Sequence, residues 1–311
     1  NNLRYKDNPI LYYGSFSSKI LTSYILDDKN TGKKIGSASK YWLHNSLKSL
    51  NKSLKNNLLF FKGDTMKIIE DLVKSYSIDN IYIEEPFLKN DISIYNKLDK
   101  KLKEMGVSLI AYNCSLLWNP HSIHKDDLTP YRVFSPFYKK GCLLNSKRPD
   151  KPLGEPQLIN FIKVENKTNI KDLNLISKNS WHKKLNNYWD ISEEAALETL
   201  ENFISTKAYD YKNGRDYPCL NKNSRLSPYI RFGLISVNRI WWELEKIKQD
   251  KNIEHYKSEL GWREFSYYLL YHFPNIQEEN LQKKFDAFKW ENSKTKFHAW
   301  KTGNTGYPIV D

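Results

Sequence analysis

Cysteine and methionine are scarce in this 311-residue chain, which has three of the first and two of the second. Cys114, Cys142 and Cys219 are far apart and odd in number, which excludes a disulfide framework and argues against a zinc cluster; they read as reduced thiols. Long apolar runs are lacking too. No stretch approaches the roughly 18 residues of a membrane span, and Asn1-Asn2-Leu3-Arg4 has no signal-peptide core. We therefore expect a cytoplasmic protein without membrane contact. The sequence opens without Met and closes on Gly306-Tyr307-Pro308-Ile309-Val310-Asp311 in mid apolar stretch, so we expect a missing segment at each end.

Aromatic residues are plentiful. They make up 14% of a chain that is otherwise 40% hydrophobic and 27% charged, close to an ordinary globular protein. Forty-nine Lys and Arg against 36 Asp and Glu give a net charge of +13. Such a field attracts a polyanion such as nucleic acid. Lysine richness also follows from genomic base bias, so charge alone leaves the partner open. The length exceeds the ~250 residues at which single cores stop growing, which predicts two domains.

Short apolar runs alternate with helical periods over the first third, the pattern of a doubly wound parallel α/β sheet. Strands are expected at 20–26, 58–61, 80–83 and 107–112, with helices at 39–54, 66–76 and 94–104, the last stopped by Gly106. From 118 to 178 the period fades among Pro120, Pro130, Pro136, Pro149, Pro152 and Pro156, which reads as a long connector. After Ser192 helices dominate, at 193–203, 237–247 and 256–271, without a convincing strand. The expected organisation is an α/β domain over 1–125, a connector over 126–190 and a helical domain over 191–311.

Three stretches carry candidate chemistry. Ser224-Arg225-Leu226-Ser227-Pro228 puts hydroxyls before a proline suited to a helical first turn. It is a helix start by itself, and its amides and hydroxyls also suit a phosphate. In Glu259-Leu260-Gly261-Trp262-Arg263-Glu264 one turn brings Glu259, Trp262 and Arg263 to the same cavity. A helical Trp is usually core, yet Tyr267 to Leu270 already supply a packing face, and a Trp beside charges is odd as core. Trp290 and Trp300, among polar neighbours, read as packing anchors.

Read together, these stretches resemble the photolyase/cryptochrome family. Asn223-Ser-Arg-Leu-Ser-Pro-Tyr-Ile-Arg-Phe-Gly233 is similar to its flavin-binding segment. Lys257-Ser-Glu-Leu-Gly-Trp-Arg-Glu-Phe265, followed by Tyr271-His-Phe-Pro274, is similar to its lesion-facing helix, and 299–311 to a further block. Leu3-Arg4-Tyr-Lys-Asp-Asn-Pro9 resembles the family opening after its first strand. Tyr131-Arg-Val-Phe-Ser-Pro-Phe137 resembles the segment that closes the first domain. Asn223 stands in place of the commoner Thr, Leu234 in place of an acidic residue, and Lys289 in place of a Pro.

The resemblance implies a Rossmann-like domain able to hold an antenna of folate or deazaflavin type, followed by a helical domain holding FAD. It implies a monomeric carbon–carbon lyase that uses light to repair cyclobutane pyrimidine dimers in ultraviolet-damaged DNA, with a cryptochrome photoreceptor as the alternative. Carried over residue by residue, Tyr211, Asn223, Ser224, Arg225, Leu226, Ser227 and Arg263 contact FAD. Arg215 contacts DNA, Glu259 and Trp262 hold the dimer and serve catalysis, and Trp290 is the surface end of the electron relay. Trp262 favours repair over signalling, because plant-type receptors commonly carry an aliphatic residue there. Further flavin-contacting segments of the family lie beyond Asp311, so the resemblance implies that this stretch alone does not hold FAD tightly.

Overall fold

The computed structural model describes residues 2–28, 35–164, 168–176 and 179–311. Contacts divide the chain into two units, one running to His272 and the other Phe273–Asp311.

The first unit begins with the short helix α1 (Pro9–Gly14), whose first free amides are met by the Asn8 side chain accepting from Leu11 N. Then β1 (Thr22–Leu26), α2 (Ser37–Ser53), β2 (Leu58–Lys62), α3 (Thr65–Tyr76), β3 (Asn80–Glu84), α4 (Lys89–Glu104) and β4 (Ser108–Tyr112) alternate as the sequence predicts. Asp64 caps α3 by accepting from Lys67 N at 3.0 Å. Gly106, at φ +75°, lets the chain leave α4 in a left-handed turn that a Cβ would strain. The ladder of β1 starts at Thr22, since Ile20 bridges in parallel to Phe161 instead.

The strands pair in parallel, β1 with β2 and β3 with β4, as two separate ladders. Between them lies a cavity of about 1100 Å³ lined by Ile20–Ile25 on one side and Asn80–Glu84 on the other. Each ladder has its own apolar packing. Leu98 and Leu102 of α4 and Val73 of α3 pack with Val107 beside β3 and β4, whereas β1, β2 and α2 join the main core.

That main core continues from Leu11 through Trp42 and Leu47 to Tyr268, across the expected connector and into the helices. The helices are α5 (Glu193–Thr206), α6 (Ser227–Phe232), α7 (Val237–Glu245) and α8 (Lys251–His272), and no strand follows β4 among the described residues. The connector holds elements that the sequence reading lacks, 3-10 turns at Ile170–Leu173 and Ser180–Asn187 and a π-helix at Phe137–Leu144 among them. The π geometry is rare overall and is frequent at functional sites.

A polar knot ties the opening segment to distant parts of this unit. Buried Arg4 donates to the carbonyls of Asp7, Gly233 and Cys114. Glu193 accepts from the amides of Tyr5 and Lys6, and Asp7 accepts from Leu153 N and the Ser236 hydroxyl. In the second unit α9 (Lys294–Thr302) is capped by Ser293 and ended by Gly303 at φ +68°. Among the described residues no helix is long and apolar enough to cross a membrane.

Candidate functional site

The long helix α8 organises the site because its residues divide between a buried and an open face. Tyr256, Leu260, Phe265 and Tyr268 point into the core, while Glu259 and Trp262, three residues apart, share the other side. Trp262 is 47% exposed, which rules out a core role. Its indole stacks on Phe134 with ring centres 3.8 Å apart and planes 12° from parallel, and Phe265 meets its edge.

Glu259 is ion-paired to Arg215 Nη1, with His255 Nε2 3.7 Å away on the preceding turn. Arg215 also approaches Asp216 at 3.9 Å and lies 5.6 Å from the centre of the Tyr211 ring. Tyr211 is buried against Tyr256 and Phe203, and that burial raises its phenol above the ordinary range. The Tyr256 hydroxyl donates to Ser224 Oγ at 3.0 Å, joining α8 to the run that opens α6. Tyr211, Ser224, Arg215 and Glu259 thus form one linked neighbourhood, with Trp262 one turn along α8 from Glu259.

The run before α6 has an uncommon backbone. Arg225 sits at φ +58°, and Leu226 follows in right-handed helical conformation. Alternating handedness of this kind turns successive amides toward one concavity, a geometry suited to anions. Asn223, Arg225 and Ser227 are exposed there, while the Leu226 side chain is fully buried and leaves only its backbone for a ligand. The donor set of hydroxyl, amide and guanidinium groups therefore fits a phosphate-bearing cofactor. The Arg225 guanidinium donates to Tyr188 O and lies 4.1 Å from the Trp189 ring centre.

Arg263 is engaged elsewhere. It donates to Ser115 O at 2.8 Å and to Glu264 at 2.9 Å, so it fastens α8 to the loop after β4. Buried Glu264 also accepts from the amides of Leu117 and Trp118. Desolvation outweighs these partners and pushes its carboxyl up to about 7. Trp290, in the second unit, is 77% exposed with its ring against Phe288, and Trp300 is 61% exposed, so neither is a packing anchor within that unit. Sequence reasoning missed Phe134 and His255. His255 could have been found from its position four residues before Glu259, but Phe134 gives no local sign of its distant partner.

The DNA photolyase family model matches residues 1–157, and the FAD binding domain of DNA photolyase matches 256–311. A deoxyribodipyrimidine photo-lyase of Agrobacterium fabrum is 32% identical over all of this chain and 66% of its own length. Cryptochrome-2 of Arabidopsis thaliana is 28% identical over all of this chain and 54% of its own. The crystal structure of a class III photolyase from Agrobacterium tumefaciens superposes with a TM-score of 0.91 at 31% identity, covering 99% of this chain and 65% of that one. The chain belongs to the DNA photolyase family. It spans between about half and two thirds of these relatives' lengths. Glu259, Trp262, Arg263 and Trp290 fall inside the matched FAD-binding segment, while Tyr211, Arg215 and Asn223 to Ser227 fall outside both matches.

Proposed function

We propose that the protein repairs cyclobutane pyrimidine dimers in ultraviolet-damaged DNA, and that the face of α8 bearing Glu259 and Trp262 receives the lesion. The observation that carries this reading is the half-open indole of Trp262 beside an ionic carboxylate, a platform with a polar edge. Base-flipping enzymes, photolyases among them, pay less to extrude a damaged base, which has already lost pairing and stacking. Trp262 stacks on the flipped pyrimidines, worth about 1–3 kcal/mol per base. Glu259 hydrogen-bonds at the pyrimidine edge, and Arg215 holds a DNA phosphate without regard to sequence.

When bound, reduced and light-excited FAD would supply the electron that splits the dimer and would regain it once the ring has opened. Asn223 to Ser227 would hold its phosphates through hydroxyls and backbone amides, with Tyr211 lining its approach, whereas Arg263 stays committed to Ser115 and Glu264. Trp290 passes electrons inward from the surface, and the α/β part holds an antenna of folate or deazaflavin type. The chain acts as a cytoplasmic monomer.

Trp262→Ala in the complete protein tests the reading. Affinity for dimer-containing duplex should fall by about tenfold or more, with undamaged duplex and FAD content little changed. Binding of both duplexes that is equal in the wild type and unaltered by the substitution would overturn repair in favour of a blue-light receptor of the cryptochrome kind.

A further inference from the structure

Trp262 is the outermost ring of a three-layer stack. Beneath it lies Phe134 at 3.8 Å and 12°, and beneath Phe134 lies Tyr138 at 5.4 Å and 10°. The inner two rings are one helical turn apart where the chain enters the π-helix. Tyr138 in turn is seated on α8 itself. A Cβ at Gly261 would stand 2.6 Å from two carbons of the Tyr138 ring, so that ring can lie against the helix only because residue 261 has no side chain. Tyr138 is buried.

These contacts make a closed circuit. Gly261 admits Tyr138, Tyr138 supports Phe134, and Phe134 covers one face of the indole one residue beyond Gly261. The circuit fixes the plane of Trp262, Phe265 meets its edge, and the residue stays 47% exposed. A half-exposed Trp on a helix otherwise samples several χ rotamers, each of which a stacking ligand must select against.

We propose that Phe134 is a positioning residue for damage recognition: it acts through Trp262, holding the indole pre-oriented so that a flipped dimer stacks on its one open face. This rests on the reading that Trp262 is the lesion platform. An aromatic pair contributes enough beyond mere burial to change a stacking equilibrium by about three- to tenfold.

The test is a double-mutant cycle in the complete protein with FAD bound, using a duplex with one cyclobutane thymine dimer and the same duplex undamaged. Phe134→Leu should lower the preference for the damaged duplex by about three- to tenfold, and Phe134→Tyr, which keeps a ring in place, should restore it. In a Trp262→Ala background, Phe134→Leu should cause no further loss of preference, because the group it acts through is gone. If Trp262→Ala lowers the preference and Phe134→Leu does not, the positioning role is wrong and the platform stands. If Phe134→Leu weakens both duplexes alike, or weakens the damaged one equally with and without Trp262, the residue is merely structural and the proposal fails. If Trp262→Ala changes nothing, the platform reading falls and this inference with it. Should Phe134→Leu fold poorly by melting temperature, Phe134→Met replaces it in the same cycle, filling the space without a ring face.

Discussion

Replacing Glu264 with Gln should change the pH dependence of stability in a direction fixed by the site's geometry. The carboxyl is buried where α8 meets the loop after β4, and its pKa is raised from the ordinary 4.5 to about 7. Between those values the folded chain keeps a proton that the unfolded chain has released. Stability from this group is therefore fully present below about pH 4.5 and is lost as pH rises through about 7. At about 1.4 kcal/mol per pH unit, the interval amounts to about 3 kcal/mol. Gln keeps an oxygen that can accept from the Leu117 and Trp118 amides and cannot ionise. Urea unfolding of the wild type and Glu264→Gln at half-unit steps from pH 5 to 8 reads this out. The variant should gain on the wild type by about 2.5 kcal/mol across the series, or about 4 °C in melting temperature for a chain of this length. Carboxylates with lowered pKa values, such as Glu84 and Glu245, impose the opposite trend on both proteins and cancel in the difference. A difference independent of pH would refute the argument, and would mean that Arg263 keeps Glu264 ionised throughout.

Two further outcomes follow from contacts already described. Arg215→Gln should reduce the slope of log affinity against log salt by about 0.9, equally for damaged and undamaged duplex, as the loss of one phosphate contact requires; an unchanged slope with loss on damaged DNA alone would instead give Arg215 the task of holding Glu259. Arg4→Met takes the donor from three carbonyls in a buried setting and should cost about 3 kcal/mol or more in urea unfolding, a loss under about 1 kcal/mol being incompatible with that network.

The α/β alternation was legible because each element has one dominant period. Residues 58–61 and 80–83 fall inside the observed β2 and β3, and the pattern in 39–54 overlaps α2 closely. Helix starts were less so: α4 begins at Lys89, ahead of the expected 94, because Leu88 at its cap makes no side-chain bond that would mark the start. The π-helix stayed hidden behind Pro130 and Pro136, although buried Phe137, Tyr138, Gly141 and Cys142 repeat at four-residue spacing. For the site, the i,i+3 relation of Glu259 and Trp262 is visible in sequence. The pairing of Arg215 with Glu259 and of Phe134 with Trp262 is not, since both are tertiary contacts between segments far apart in the chain.

The knot around Arg4 also bears on the order in which the molecule assembles. Its bonds join residues 4 and 233, and residues 7 and 236, each separated by 229 positions. Contacts of such span raise contact order and slow the search for the native state. At ribosomal rates of about 5–20 residues per second, the segment at 3–8 waits roughly 10–50 s for its last partner to be made. Until then its guanidinium has the carbonyls of Asp7 and Cys114 but not that of residue 233 to meet. The segment is thus synthesised before its partners yet locked only after them, which ties completion of the α/β part to arrival of the helices that carry the candidate site.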